Sequence, residues 1–227
     1  MDKYLRQIVW ILMLLIFPVA SFAQKDVTQF LDIPVDGYKL EMIEKLKSRG
    51  FTIMEGNEDI LEGEFNGRDV NLFIGTNNNK VWRIVVRDKY PSDEINIKIR
   101  FNTLIQQFAN SSRYSIQSDS LISKFIIPED EDITYEMKVN NKRYDAMFYQ
   151  KAIKSDSLTF EIEKLVAQEE RNDEDFEKVN DLILERAQVQ MNALNKQVWF
   201  MIKENYGEYR IMIFYENAFN EANGKDL

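Results

Sequence analysis

The chain has 227 residues and a formal net charge of −9, with 29 basic and 38 acidic side chains and neither cysteine nor histidine. That length suits one large domain or two small ones, and a 44% hydrophobic content argues for a packed core rather than disorder. The acidity excludes nucleic acid and anionic lipid as expected partners. The two missing residue types exclude disulfides, thiolate chemistry, Cys- or His-ligated metals and the usual general base.

Lys3 and Arg6 precede an apolar run from Ile8 to Phe17, followed by Pro18 and by Ser21-Phe22-Ala23 before Gln24. A charged region, a short apolar core and a small-x-small site read as a secretory signal peptide over residues 1–23, cleaved before Gln24. A retained anchor would need ~20 apolar residues to cross ~30 Å of hydrocarbon. No cysteine is available for a lipid anchor, and no second apolar segment follows. The expected product is periplasmic or secreted, with no membrane span after cleavage.

Asp36 is placed to cap a helix from about Gly37 to Arg49, with Met42, Ile43 and Leu46 as its apolar stripe and Gly50 as its stop. A β-meander follows. Phe51–Glu55 reads as a short strand, and Leu61, Gly63 and Phe65 alternate with Glu62 and Glu64. Asn66-Gly67 marks a hairpin. Val70, Leu72 and Ile74 alternate with Asn71 and Phe73, residues 75–79 turn, and Trp82, Ile84 and Val86 share a core face on Val81–Arg87. Pro91-Ser92 opens a second helix with Asp93 and Glu94 in its first turn and Ile97, Phe101, Leu104, Ile105 and Phe108 buried.

Laying residues 51–74 over 125–148 puts Phe51 on Phe125, Glu62 on Glu136 and Asn66-Gly67 on Asn140-Asn141. A second meander is therefore expected, with Val198-Trp199 matching Val81-Trp82 after a long insertion at about 151–195. The insertion reads as helical. Ser157 and Asn172 are candidate caps, residues 157–162 fit strand or helix, and Phe176, Val179, Ile183, Ala187 and Leu194 form a stripe. Val198–Ile202 and Tyr209–Tyr215 close the sheet around Asn205-Tyr206-Gly207. Both faces of these strands are apolar, so the inserted helix is expected to cover the second face. Trp82 and Trp199 are expected to be packing residues.

The segments at 30–51, 61–74, 127–137 and 214–227 (FLDIPVDGYKLEMIEKLKSRGF, LEGEFNGRDVNLFI, IPEDEDITYEM, FYENAFNEANGKDL) resemble a group of uncharacterised exported Bacteroidetes proteins. At the level of fold, a tandem helix-plus-meander chain looks like the β-lactamase-inhibitor-protein architecture. That resemblance implies a concave sheet surface offered to protein partners, and shape alone does not fix function. The expected class is thus α+β: two helix-plus-antiparallel-meander repeats, at 24–112 and 113–227, the second with a helical insertion.

Few residues suggest chemistry. Glu129-Asp130-Glu131-Asp132 lacks the ligand alternation and glycine of a calcium loop and reads as a solvated loop between strands. Glu62 and Glu64 project from one face of a strand; a paired-carboxylate glycan hydrolase would need them ~5–10 Å apart beside a sugar-stacking cleft, and alternating glutamates are more often simply the wet side of a sheet. Phe73, Arg83 and Arg87 fall on that same outward face, and arginine and aromatic residues favour interfaces. No phosphate loop, nucleophile elbow or dinucleotide fingerprint occurs, so no cofactor is expected. The leading expectation is a non-catalytic module that engages a protein or an envelope component through Phe73, Arg83, Arg87, Glu62 and Glu64. The alternatives are a carboxylate-dependent glycan hydrolase and a structural envelope protein without a defined ligand.

Overall fold

The structure, a computed structural model, describes residues 26–118, 120–168, 172–222 and 224. The expected leader and its cleavage position lie outside these residues. The chain is α+β, as the sequence predicts. Strands β1 (Gln29–Phe30) and β2 (Ile33–Pro34) form a small ribbon. Helix α1 (Lys39–Lys47) leads into β3 (Thr52–Met54), β4 (Asn57–Phe65), β5 (Arg68–Asn77) and β6 (Lys80–Asp88). Helix α2 (Glu94–Asn110) precedes β7 (Tyr114–Ser115), α3 (Ser120–Phe125), α4 (Ile133–Lys138) and β8 (Asp145–Gln150). The helices α5 (Ser155–Val166) and α6 (Asp173–Ala193) then separate β8 from β9 (Gln197–Asn205) and β10 (Glu208–Glu216). Strands β3 to β10 make one antiparallel eight-stranded sheet in the order β3-β4-β5-β6-β10-β9-β8-β7.

The core lies between one face of this sheet and α1 and α2. Met42, Ile43 and Leu46 of α1 and Ile97, Phe101, Leu104, Ile105 and Phe108 of α2 bury against Leu61, Val70, Leu72, Ile84, Val86, Phe200 and Ile211. Both stripes are those the periodicity predicts. The stop of α1 also holds: Gly50, at φ +95°, donates to the Lys47 carbonyl, and Phe51 donates to the Leu46 carbonyl. A side chain resists that left-handed backbone, and glycine does not. The start of α1 differs. Its N-cap is Tyr38, without a side-chain bond, while Asp36 accepts from the Gly37 N–H and from Asn220 Nδ2, at 2.7 Å each. The capping role expected of Asp36 is diverted to the chain's tail. In α2 the cap is Asp93, which accepts from the Asn96 N–H at 2.8 Å.

Asn66-Gly67 forms the expected two-residue hairpin, with both residues at positive φ and Phe65 paired to Arg68. The next turn is tighter than expected. Strand β5 runs on to Asn77, and Asn78-Asn79 make the turn. The extra strand length is accommodated by a bulge: Gly75 pairs with Arg83 and Thr76 with Val81, which leaves Trp82 unpaired.

The expected match of 51–74 to 125–148 fails. Residues 133–138, where that match requires a strand, are helix α4, capped by Asp132 through the Tyr135 N–H at 2.8 Å. An aspartate at the cap, with Ile133 and Met137 four residues apart, outweighs the alternation that made IPEDEDITYEM look extended. The acidic run is a loop, but between helices rather than strands. Strand order still runs inward from each edge to the central β6–β10 pair.

The insertion is a helical hairpin. Asn172 caps α6 in a reciprocal box with Asp175, as expected of that asparagine. The segment 157–162 is helical, and α5 starts at Ser155 rather than at a Ser157 cap. The two helices pack chiefly on each other, burying Leu158, Ile162 and Val179. Among the described residues, neither contributes to the core cluster. Among those residues neither helix packs extensively on the strands, and only the base of the hairpin, at Gln190, Ala193 and Leu194, comes beside Tyr149, so the expectation that this hairpin covers the sheet's second face is not met. Its base is held at the end of β8 and β9, where Lys196 Nζ binds Asp26 at 2.6 Å and the Lys151 carbonyl at 2.9 Å. Among the described residues no helix is long and apolar enough to cross a membrane.

Candidate functional site

The face of the sheet opposite the core is built from the alternate residues of each strand, so strand register places its side chains in rows. One row runs across six strands as Ile60, Phe73, Val85, Phe214, Trp199 and Met147. It is apolar from end to end. Beside it, Glu62, Asn71, Arg87, Met212, Met201 and Asp145 form a mixed row. On the other side, Gly75, Arg83 and Glu216 are aligned.

The rows interlock. Trp199 stacks on Phe214 with centroids 3.9 Å apart and planes 9° apart. The Arg83 guanidinium lies 4.0 Å from the Trp82 ring and 5.3 Å from that of Phe214. Arg83 is ion-paired with Glu216, which also accepts from Trp199 Nε1 at 2.9 Å. Arg87 lies 4.9 Å over Phe73. Such contacts hold arginine flat on aromatic rings. The bulge at Trp82 turns that side chain onto this outer face beside Arg83, so Trp82 is not the core residue expected. Trp199 is likewise on the outer face. Both tryptophans are half-buried and outside the core cluster.

Arg83 and Arg87 differ in charge balance. Arg83 has the Glu216 carboxylate. Arg87 has no ion pair among the described residues, and burial, with Arg210 nearby, pushes its guanidinium below its ordinary value. Arg210 has only Glu208, at 3.5 Å and largely in water. Among the described residues, the buried side-chain polar atoms without a partner are Asn71 Oδ1, Arg83 Nε and Arg87 Nε, and all three belong to this face. Buried polar atoms are normally satisfied, so their concentration here marks a surface whose hydrogen bonding is incomplete.

The expected carboxylates are placed differently. Glu62 binds Lys89 Nζ at 2.7 Å, and that bond raises the Lys89 ammonium above its ordinary value. Glu64 is exposed and opposite Asp69. Glu136 is on α4, on the core side of the sheet, and accepts from Asn140 Nδ2 at 3.0 Å. The structure therefore does not bring Glu136 together with Glu62. Cavities of about 330, 390 and 340 Å³ lie at the hairpin base, beside the edge formed by Phe65 and Tyr114, and between α2 and Ile127, and each is lined by a single carboxylate. None of these three cavities assembles an acid–base pair. In the acidic run, Glu131 is engaged by Lys142 and Tyr144, and Asp132 caps α4. No cluster of three or more acidic side chains able to hold a metal ion occurs among the described residues.

Sequence reasoning thus places Phe73, Arg83, Arg87 and Glu62 on one face, and the structure joins the first three into an aromatic–arginine surface. It missed Phe214, Trp199, Arg210 and Asn71. The apolar alternation of β9 and β10 carried a signal for the first two, but it was assigned to contact with the insertion. Comparison with family models, with curated proteins and with solved structures finds no match.

Proposed function

We propose that this is an exported, non-catalytic binding module that engages a protein or an envelope component through the outer face of its sheet. The observation that carries this reading is the gathering of the unpartnered buried polar atoms, Asn71 Oδ1, Arg83 Nε and Arg87 Nε, beside a continuous apolar row. Interfaces favour arginine and aromatic residues that are already held in place, because little freedom is then lost on binding. The pairing of Glu62 with Lys89 and the exposed position of Glu64 opposite Asp69 favour this over a glycan hydrolase. A pull-down from envelope extracts, with wild type and Phe73→Ala/Arg87→Ala as baits, tests it. The variant is expected to lose a specific partner at an unchanged melting temperature. Equal capture by both baits would count against this face. N-terminal sequencing of the protein from its native host tests export, with Gln24 as the expected first residue.

A further inference from the structure

The helical hairpin carries an apolar surface of its own. Ile183, Leu184 and Met191 of α6 and Leu194 at its C-terminal cap are 40%, 67%, 70% and 49% exposed. At 3.6 residues per turn they fall on one side of the helix, in continuity with Val179, which lies one turn before Ile183 and is buried in the hairpin. Glu177 and Asp181 flank the Leu184 edge of this stripe, and Asp173 stands at its N-terminal end. All three are exposed and without ion pairs among the described residues. An apolar stripe with an acidic border is thus displayed on an element that adds nothing to the core.

The outer face of the sheet has the complementary pattern. Its apolar row crosses six strands, roughly 24 Å at ~4.8 Å per strand. Its border is mixed: Glu62 is held by Lys89 and Asp145 is exposed, while Arg87 has no ion pair among the described residues and Arg210 holds only Glu208, at 3.5 Å. The stripe from Ile183 to Leu194 is roughly 16 Å long at ~1.5 Å per residue, so it fits within the row. The missing hydrogen-bond partners of Arg87 and the unpaired acids of α6 are of opposite sign.

We infer that the outer sheet face of one molecule receives the α5–α6 hairpin of a second copy, with Glu177 and Asp181 at Arg87 and Arg210 and the α6 stripe along the Phe73–Val85–Phe214–Trp199 row. Because every copy carries both surfaces, two hairpins exchange about a two-fold axis and close the assembly as a dimer. The inference rests on the same face as the proposed binding function and names what covers it. Arg83, neutralised by Glu216, marks the apolar flank of the contact rather than its charged one.

The test uses the purified protein and sedimentation over a concentration series reaching ~100 µM, where weak protein contacts register. Wild type is expected at twice the monomer mass. Arg87→Glu/Arg210→Glu and Glu177→Lys/Asp181→Lys are each expected to associate at least ~10-fold more weakly, about 1.4 kcal/mol, with unchanged melting. Mixing the two variants restores the dimer, because both contacts of the mixed pair are then of opposite sign. A monomeric wild type overturns the inference, as does a mixture that stays monomeric. The hairpin substitutions are on exposed positions, so their result does not depend on the sheet tolerating charge reversal. A monomeric wild type that still loses its captured partner on Phe73→Ala/Arg87→Ala refutes only the second copy as occupant, whereas equal capture refutes the binding face itself.

Discussion

Three side-chain positions show how local chemistry fixes this fold. Gly63 faces Phe51 so closely that an added Cβ would stand 2.6 Å from the ring, and Phe51 is buried. Gly63→Ala should cost about 1–3 kcal/mol, read by urea denaturation, and Phe51→Leu in the same chain should recover part of it. Arg100 and Asp88 form a bidentate pair at 2.8 and 2.5 Å with both side chains 7% exposed. Arg100→Met strands a buried carboxylate and should cost about 3–5 kcal/mol, while Asp88→Asn/Arg100→Met should be less damaged than the single variant. Burial works to raise the Glu131 carboxyl, but bonds from Lys142 and Tyr144 outweigh it and hold it below the ordinary 4.5. A carboxyl lowered on folding adds stability above its unfolded value and loses it as pH falls through its folded one. Glu131→Gln should therefore flatten the acid limb of the stability profile below about pH 4.5, as melts across pH will show. The α2 stripe was legible from periodicity, but Arg100 within it was not. Its position shows only that it faces the core, and the partner that makes this tolerable comes from β6.

At the level of helices and strands, local signals were read correctly where one interaction decides the outcome. Asn66-Gly67 makes its hairpin and Asn172 caps α6 because backbone chemistry at two or three residues suffices. The reading failed where competing patterns fit the same residues. Ile133 to Met137 alternate like a strand, but Asp132 starts a helix there. The bulge opposite Gly75 and Thr76 reverses the face of Trp82, and simple alternation does not reveal a one-residue slip. The α5–α6 segment reads as helical and is helical, but its apolar stripe does not say which surface it meets, and it does not cover the sheet. Its separation from the core makes a dynamic prediction. Backbone amides of α5 and α6 should exchange hydrogen well before those of β5, β6, β9 and β10. Equal protection in the monomer would mean that the hairpin is part of the cooperative core.

Across the entire protein, an acidic chain gathers Arg83, Arg87 and Arg210 on one face of one sheet. α1 and α2 build the core on the other face, so the outer face lies outside the core cluster, with its own Phe214, Asn71 and Glu216 buried. Its aromatic row, with Arg83, Arg87 and Arg210 beside it, is an organised surface outside the core cluster. Arg87 and Arg210 make acidic groups the expected contacts of this surface. The direct test is photo-crosslinking in native host cells, with a reactive residue at Val85 on the outer face or at Gln106 on the exposed side of α2. Discrete adducts are predicted from Val85 and none from Gln106. The reverse pattern, or the same adducts from both positions, would contradict the assignment of this face as the binding surface.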